Sequence, residues 1–307
     1  MIVIASTKPY AQKMLLDAFQ AFAPENSFCL PDDACATQAT TAACWFPDMD
    51  QLESLPDLQL IHSMGAGVEH LDLKKIEYKY QLCRIVDAHH KQGMLNYLHW
   101  GILYYQRCFD LYAHNQQQQI WHQYSQLSEH DVKVGIMGLG EIGSFVAQKL
   151  ANYGYQISGW SKSSKSIESV TCYSGEAQFE QFLSQSQILI NLLPLTTETR
   201  HILSNKTFEK LPKGAAVINS GRGAHLNSND LLACLQSGQL RGAILDVFEQ
   251  EPLIPEHPLW TTQNVLITPH VASHAPLKVV VEQILENDKR LINRQPLMNV
   301  VNLQRGY

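Results

Sequence analysis

The sequence has no excess of positive charge and no apolar run long enough to cross a membrane. Lysine and arginine number 23 against 29 aspartates and glutamates, which gives a formal charge of −6 at pH 7. A dedicated nucleic-acid-binding protein needs a wide basic surface, so that class is not expected. A bilayer span takes about 20 apolar residues, so no membrane partner is expected. The N-terminal MIVIAS lacks the basic region of a signal peptide, which predicts a first β-strand in a cytoplasmic protein.

Paired cysteines and metal-ligand spacings are also missing. The seven cysteines are scattered, odd in number and without a C-x-x-C pair. This pattern excludes a disulfide framework and favours reduced thiols. The 13 histidines include no H-E-x-x-H motif, so no metal site is predicted.

The chain does have length, apolar content and an alternating order of elements. Its 307 residues are 45% hydrophobic, which is enough for two domains with sizeable cores. In the first part of the chain, apolar runs predict strands and a 3.6-residue period predicts helices. The predicted strands cover residues 1–6, 41–46, 58–64 and 84–88, and the predicted helices cover residues 11–22 and 93–119.

A second alternating series follows a polar connection at residues 120–131. Continuous apolar runs predict buried strands with helices on both faces of a parallel sheet. The fold class predicted for the whole chain is therefore α/β, with parallel sheets. The strands of this series are predicted at residues 132–137, 155–160, 187–193, 215–220, 242–248 and 265–268, and a last helix at 277–294.

A glycine-rich turn opens the second series. The strand at residues 132–137 runs directly into a G-x-G-x-x-G motif and then into a helical pattern, which is the context of a dinucleotide-binding turn. Gly138 permits the tight turn, Gly140 lets backbone amides approach a pyrophosphate, and Gly143 lets the helix pack on the strand. A purely structural turn is the alternative. The predicted contacts are Gly138, Leu139, Gly140, Glu141, Ile142 and Gly143.

The end of the next strand bears on the choice of cofactor. An NAD-selecting protein places an acidic residue there for the ribose 2′-hydroxyl, and the equivalent position here is Ser161. Lysines in the same loop can neutralise a 2′-phosphate, although an ordinary exposed polar loop is the alternative. NADP(H) is therefore the preferred cofactor, with NAD(H) possible. The predicted contacts are Trp160, Ser161, Lys162, Ser163 and Lys165.

Three further polar segments follow successive predicted strands, at residues 219–223, 246–252 and 268–270. They bring Arg222, Glu251 and His270 to the carboxyl edge of the sheet, where ligands bind in open α/β folds. An arginine binds a carboxylate through two nitrogens. A histidine beside a carboxylate can donate a proton near neutral pH. Together these groups suit hydride transfer to a 2-oxo acid.

These motifs together resemble the D-isomer-specific 2-hydroxyacid dehydrogenase family. The likeness rests on the glycine turn, on the three polar segments and on LLPLTTET at residues 192–199. Within the family, the chain resembles the bacterial NADPH-preferring glyoxylate/hydroxypyruvate reductases over essentially its whole length, including residues 257–260 and 305–307.

The resemblance implies a role for each residue of the catalytic group. Arg222 would hold the substrate carboxylate and carbonyl, His270 would be the general acid and base, and Glu251 would pair with His270. Asp246 would help to tune the ionisation of the site. Cofactor contacts are implied at Leu193, Pro194, Thr199, Ser220, Gly221 and Asp246.

The resemblance also implies a substrate loop in the first part of the chain. Gly65, Ala66 and Gly67 resemble the loop whose backbone amides receive the substrate carboxylate, and glycines let amides approach an anion. A tight strand–helix turn is the alternative. Trp45 is a candidate pocket wall or a core residue.

The implied architecture is two flavodoxin- or Rossmann-like domains. A dinucleotide-binding domain, residues 96–274, would be inserted into a substrate domain of residues 1–95 and 275–307, with the active site in the cleft. The long helix would mediate a homodimer. The implied reaction is NADPH-dependent reduction of glyoxylate to glycolate and of hydroxypyruvate to D-glycerate. A dehydrogenase for another 2-oxo acid, or a nucleotide-binding sensor or corepressor, are the alternatives.

Overall fold

The computed structural model describes residues 1–68, 70–76, 79–273 and 275–303. Residues 305–307, which contributed to the family resemblance, lie outside the described residues. The chain divides into two compact units. Unit 1 comprises Met1–His90 with His274–Tyr307, and unit 2 comprises Lys91–Ser273.

Unit 1 is a five-stranded parallel sheet with helices. The sheet runs β2-β1-β3-β4-β5, which is the strand order of flavodoxin-like folds. Its strands are β1 (Ile2–Ala5), β2 (Phe28–Cys29), β3 (Thr41–Cys44), β4 (Leu60–Ser63) and β5 (Gln81–Cys83). Its helices are α1 (Pro9–Phe22), α2 (Met49–Glu53), α3 (Leu73–Ile76) and α10 (Leu277–Ile292).

The strand predicted at residues 84–88 is wrong, because the ladder with β4 ends at Cys83. Beyond it, Ile85 is fully buried against β1 and α10. The apolar character of that segment therefore reflects core packing and not strand pairing. The short edge strand β2 was not predicted, since a two-residue strand carries no period.

A buried histidine joins β4 to α10. His62 is fully buried, and its Nδ1 lies 2.9 Å from the carbonyl oxygen of Ser63. The Nδ2 of Asn287 lies 3.1 Å from the other ring nitrogen and donates to it. His62 is therefore held as the neutral ring. Burial lowers the pKa of His62 to about 4, although the hydrogen bond to Ser63 partly opposes this shift.

This lowered pKa predicts a loss of stability in acid. Between about pH 6.5 and 4 the unfolded chain binds a proton at His62 and the folded chain does not. The free energy of unfolding should therefore fall with decreasing pH, by up to ~1.4 kcal/mol per unit and roughly 3 kcal/mol in total. Urea titrations at several pH values should show this slope in the wild type and a shallower slope in His62→Gln. The exposed His89→Gln is the matched control, and equal slopes in wild type and His62→Gln would contradict the prediction.

Unit 2 is a seven-stranded parallel sheet in the order β12-β11-β10-β9-β6-β7-β8. Renumbered within the unit, its first six strands have the Rossmann order 3-2-1-4-5-6. Its strands are β6 (Lys133–Met137), β7 (Gln156–Ser161), β8 (Thr171–Ser174), β9 (Ile188–Asn191), β10 (Ala215–Asn219), β11 (Leu240–Leu245) and β12 (Val265–Ile267). Its helices are α4 (Ala88–Gln106), which begins in unit 1, α5 (Phe109–Gln117), α6 (Glu141–Asn152), α7 (Phe179–Leu183), α8 (Asn205–Phe208) and α9 (Ser228–Gln236). The two parallel sheets confirm the predicted fold class.

The helix predicted over residues 93–119 is two helices, because the backbone of Cys108 is left-handed (φ 58°). The carboxylate of Asp110 then accepts two hydrogen bonds from Arg241, each 2.6 Å, which anchor α5 to β11. Cysteine is neither glycine nor proline, so nothing in the sequence marked the break. Among the described residues, no helix is long and apolar enough to cross a membrane.

The division of the chain differs from the predicted one at the first boundary. The units change after residue 90 and not after 95, because the start of α4 packs with unit 2. Met94 and Leu95 lie in its core, and Lys91 pairs with Glu141 at 3.2 Å. At the second boundary the difference is one residue. The assignment of unit 1 to the substrate remains a prediction.

Candidate active site

The candidate site residues of unit 2 lie at one edge of its sheet. The strands are parallel, so the segments that follow β6, β9, β10, β11 and β12 all emerge at the carboxyl edge. The strand order reverses between β9 and β6, and such a switch point is where α/β sheets bind ligands.

The glycine turn after β6 has the geometry of a phosphate cradle. Gly138 has φ +101°, and a Cβ there would lie 2.7 Å from the carbonyl oxygen of Leu192. A Cβ on Gly143 would lie 1.8 Å from the carbonyl oxygen of Gly138, so only glycine lets α6 start this close to the strand. A Cβ on Gly140 would meet nothing within 4 Å. Open space above a helix N-terminus fits a pyrophosphate.

The side chains of the other residues in that turn differ in burial. Leu139 is buried against Gly159 of β7, whereas Ile142 is half-buried in the first turn of α6. Glu141 begins α6 and forms the ion pair with Lys91, which offsets its negative charge near the cradle. The backbone of these residues therefore suits an anion better than their side chains do.

A second observation fits a ligand at this edge. The hydroxyl of Ser220, directly after β10, is buried and has no hydrogen-bond partner among the described residues. Buried polar atoms almost always have a partner, so an orphaned one points to a missing ligand or water. The next residue is Gly221, where a Cβ would lie 2.8 Å from the Nδ2 of Asn191. These residues fit a dinucleotide.

The loop after β7 presents lysines to solvent. Lys162 and Lys165 are exposed, as is Ser163, whose carbonyl accepts the hydroxyl of the buried Ser161 at 2.8 Å. The ring of Trp160 packs at a tilt against that of Phe179, and its Nε1 donates to the carbonyl oxygen of Gly175. The structure thus places the lysines where a ligand can reach them and uses Trp160 and Ser161 to shape the loop.

The loop after β9 carries three further predicted cofactor contacts, at Leu193, Pro194 and Thr199. Leu193 is buried, and the hydroxyl of Thr199 donates to the carbonyl oxygen of Pro194 at 2.8 Å. A hydrogen bond from Thr196, hydrogen bonding by its own backbone, and the charge of Lys162 lower the pKa of the Glu198 carboxyl. Glu198 of the 193–199 loop is therefore within electrostatic reach of Lys162.

The histidine and glutamate predicted to act together are paired. The Nδ1 of His270 lies 2.9 Å from the Oε2 of Glu251, and the amide of Phe248 donates to Oε1 at 2.9 Å. Burial by itself raises the pKa of the Glu251 carboxyl. The hydrogen bonds and the charges of His270 and Arg222 outweigh burial, so the net pKa is lowered. An ionised Glu251 holds the ring through its Nδ1.

Asp246 supports the turn that carries His270. Its carboxylate is buried and accepts hydrogen bonds from the hydroxyl of Thr268 (2.6 Å) and from the amides of Val271 (2.8 Å) and Ala272 (3.0 Å). The backbone of His270 is in the left-handed region, with φ +56°. Such a conformation is costly for a non-glycine residue and persists only when its surroundings enforce it.

Arg222 follows β10 and begins a single 3₁₀ turn at Gly223–His225. Its side chain is half-buried, and its Nη1 donates to the carbonyl oxygen of Gly221 at 2.7 Å. Its charge acts on Glu251, so Arg222, Glu251 and His270 share one electrostatic environment. Among the described residues, no group of histidines, cysteines and carboxylates is arranged to hold a metal ion.

In unit 1, the predicted substrate loop is a closed turn after β4. The hydroxyl of Ser63 donates to the carbonyl oxygen of Gly67 at 2.8 Å and accepts the amide of Gly65 at 3.1 Å. The Nη1 of Arg84 donates to the carbonyl oxygen of Ala66 at 3.1 Å. A Cβ on Gly65 would lie 3.0 Å from the ring of Trp45, which is half-buried. Trp45 therefore lies directly against this turn.

The comparison with known proteins decides the family. The model of the "D-isomer specific 2-hydroxyacid dehydrogenase, NAD binding domain" matches residues 100–272. The chain belongs to the D-isomer specific 2-hydroxyacid dehydrogenase family. It is 35% identical, over 275 residues and 88% of each chain, to the glyoxylate/hydroxypyruvate reductase A of Yersinia enterocolitica serotype O:8 / biotype 1B.

Solved structures of family members agree over the full chain. A D-isomer specific 2-hydroxyacid dehydrogenase family protein from Klebsiella pneumoniae is 45% identical, with a TM-score of 0.93, over 99% of this chain and 97% of its own. The NADPH-dependent glyoxylate/hydroxypyruvate reductase of Sinorhizobium meliloti, in complex with NADP and sulfate, is 32% identical, with a TM-score of 0.89, over 100% and 99%. The chain is thus an oxidoreductase of this family.

Four residues at this edge were not predicted to be functional. The hydroxyl of Tyr97 lies 2.6 Å from that of Thr268, which in turn donates to Asp246. Asn191 and His225 lie buried beneath the Arg222 turn. Thr268 stands two residues before His270 and His225 three residues after Arg222, so closeness in sequence to a predicted catalytic residue was the available signal. Tyr97 and Asn191 have no such neighbour.

Proposed function

We propose that the protein reduces glyoxylate to glycolate and hydroxypyruvate to D-glycerate with NADPH. The observation that carries the proposal is the His270–Glu251 pair beside Arg222 at the carboxyl edge of the NAD binding domain. The names of the Yersinia and Sinorhizobium relatives support the substrates. The proposed compartment is the cytoplasm, where the seven free thiols would stay reduced.

The chemistry divides among three side chains. Arg222 binds the substrate carboxylate, which fixes the carbonyl carbon in place. A reduced nicotinamide, when bound, supplies the hydride. The Nε2 of His270 donates a proton to the carbonyl oxygen, so that the alcohol forms without a free alkoxide. Glu251 stabilises the protonated ring through Nδ1 and keeps it oriented.

The same proposal assigns roles to the turn in unit 1. The backbone amides of Ala66 and Gly67 receive the substrate carboxylate, while the amide of Gly65 donates to the hydroxyl of Ser63 and shapes the turn. Trp45, which lies against Gly65, limits the size of the substrate side chain. A carbonyl compound without a neighbouring carboxylate should therefore react poorly.

The lysine loop provides a test of the cofactor. In Lys162→Ala/Lys165→Ala, the KM for NADPH should rise about tenfold or more, because charge-assisted hydrogen bonds to a phosphate contribute roughly 1.5–3 kcal/mol each. The KM for NADH, which has no 2′-phosphate, should change less than about twofold. Initial rates with both cofactors measure this. Lys213→Ala, at an exposed lysine, is the matched control. Equal changes in the KM values for both cofactors would show that the lysines do not recognise the 2′-phosphate.

Nicotinamide absorbance with the purified chain tests the function itself. Glyoxylate, hydroxypyruvate and pyruvate are each supplied with NADPH and with NADH. Fast oxidation of NADPH by the first two acids is the expected result. Turnover only with pyruvate would reassign the substrate to another 2-oxo acid. Tight NADPH binding without turnover of any 2-oxo acid would overturn the reductase and favour a nucleotide-binding sensor.

We also propose that the enzyme is a homodimer, formed through the α4–α5 region. Trp121 is 96% exposed, and Ile120, the residue before it, and Phe109 at the start of α5 are about half-exposed. Apolar surface of this kind marks an interface, and a second copy of the chain is the proposed occupant. Sedimentation velocity should give twice the chain mass of 34.7 kDa. Trp121→Asp should lower the measured mass towards that of one chain, whereas the control Tyr10→Ser should leave it unchanged. A monomeric wild type would overturn this proposal.

A further inference from the structure

Three polar side chains lie completely buried beneath the turn that carries Arg222. They are Asn191 at the end of β9, Asn219 at the end of β10 and His225 in the 3₁₀ turn. None of them can reach solvent, and none reacts in the proposed mechanism. Buried polar groups are costly unless they are hydrogen-bonded, so the bonds that they make should reveal what they hold in place.

The two asparagines fix the backbone at the strand ends. The Nδ2 of Asn191 donates to the Oδ1 of Asn219 at 2.9 Å, and its Oδ1 accepts the amide of Leu193 at 3.2 Å. The Oδ1 of Asn219 also accepts the amide of Gly221, and its Nδ2 donates to the carbonyl oxygen of Arg222. The pair therefore joins the loop after β9 to the turn after β10.

His225 completes the network, and its partners determine its tautomer. The Nδ2 of Asn191 lies 2.8 Å, and the amide nitrogen of Arg222 3.1 Å, from Nδ1. Both of these groups can only donate, so Nδ1 is the acceptor. The proton then resides on Nε2, which lies 3.2 Å from the carbonyl oxygen of Pro194 and donates to it.

One imidazole thus holds two segments with different tasks. Its Nδ1 holds the backbone of Arg222, which binds the substrate carboxylate in the proposed function. Its Nε2 holds Pro194, whose loop borders the phosphate cradle, since a Cβ on Gly138 would lie 2.9 Å from the amide nitrogen of Leu193. The space is tight, because a Cβ on Gly221 would lie 3.0 Å from Nδ1.

We propose that His225 is a positioning residue that sets the substrate-binding arginine and the cofactor-side loop through opposite nitrogens of one ring. The inference rests on the proposed function for the role of Arg222. It goes further, because it predicts that the hydrogen bond at Nδ1 supports binding of the 2-oxo acid and that the hydrogen bond at Nε2 supports binding of the dinucleotide.

Two substitutions test the hydrogen bonds of the two ring nitrogens of His225 separately. In His225→Asn, the side-chain oxygen occupies the place of Nδ1 and still accepts the Arg222 amide, but the donor to Pro194 is lost. In His225→Gln, the side-chain amide occupies the place of Nε2 and still donates to Pro194, but the acceptor for Arg222 is lost. Each variant therefore serves as the control for the other.

The affinities of the two ligands are measured by direct binding to the whole chain and not from turnover. The probes are NADPH, followed by its fluorescence, and oxalate, a planar dicarboxylate, followed by calorimetry with the NADPH-loaded protein. His225→Asn should raise the dissociation constant of NADPH roughly tenfold and leave that of oxalate within about twofold. His225→Gln should do the reverse. Equal effects of both variants on both constants, or no effect, would overturn the proposal.

A measurement on the wild type covers the case in which a variant fails to fold. ¹⁵N NMR of the histidine rings should show one of the 13 histidines fixed as the Nε2–H tautomer from pH 6 to 8. The absence of any such ring would overturn the proposal, because a protonated Nδ1 cannot accept the Arg222 amide. An inactive wild type would overturn the proposed function, while the two dissociation constants would still decide this inference.

Discussion

His270→Asn is expected to keep the fold and lose between about 10² and 10⁴ of kcat, the usual contribution of a general acid. Asparagine suits the position because it tolerates the left-handed backbone better than other residues, and His270 has φ +56°. It can still accept a hydrogen bond, but it cannot deliver a proton at neutral pH. The loss should therefore fall on the chemical step and leave the NADPH dissociation constant unchanged.

His201→Asn is the matched control for this experiment. His201 also belongs to unit 2, is exposed and has φ +53°, so the same substitution meets the same backbone constraint at a residue with no role in the proposed chemistry. Stopped-flow single turnover with NADPH and glyoxylate separates chemistry from product release. A His270→Asn enzyme within tenfold of the wild-type rate would remove His270 as the proton donor.

Arg222→Lys is expected to lower kcat/KM for glyoxylate by roughly 10²–10³. Lysine keeps the charge but not the planar pair of donors that binds a carboxylate through two oxygens. Loss of one partner of a buried, hydrogen-bonded charge pair costs about 2–5 kcal/mol, and for the half-buried Arg222 a 10²–10³-fold loss, about 3–4 kcal/mol, lies within that range. Most of the loss should appear in KM, because ground state and transition state both carry the carboxylate.

A second measurement for Arg222 compares kcat/KM for an aldehyde that carries a carboxylate with kcat/KM for one that does not. Wild type should prefer glyoxylate to glycolaldehyde, which has no carboxylate, and Arg222→Gln should reduce that preference by about the factor lost on glyoxylate. Arg200→Lys is the control, because Arg200 is exposed and its 2.6 Å partner is Glu249. An unchanged preference in Arg222→Gln would mean that another group binds the carboxylate.

The sheet of unit 2 was predictable from the sequence because its strands are buried on both faces. Apart from the exposed Lys133 that begins β6 and the asparagines that end β9 and β10, these three strands are apolar runs of buried residues. β8 was missed, because Thr171–Ser174 is a four-residue strand at the sheet edge whose sequence TCYS gives neither an apolar run nor a regular alternation. Edge strands carry a weaker pattern than central ones.

The candidate site was predictable where a residue sits in a motif. Arg222, Glu251 and His270 each follow a strong strand, so the parallel topology alone carries them to one edge. Asn191 and His225 were not predictable, because a polar residue next to an apolar run gives no sign of the partner that it meets in the core. Their hydrogen bonds join segments that are 28 and 34 residues apart.

Unit 1 is assembled from residues 1–90 and from the segment that follows residue 273. It therefore cannot complete its fold on the ribosome until that second segment has been synthesised. α10 contributes Val280 and Ile284 to the core around Ile2, and Asp288 accepts the hydroxyl of Thr41. Residues 91–273 are synthesised in between, which takes roughly 10–40 s at 5–20 residues per second. During that interval unit 2 can complete its sheet, while β1 and α1 expose apolar faces that a chaperone would have to shield. A message truncated before Leu277 would therefore yield a nascent chain prone to aggregation, with an intact nucleotide-binding sheet.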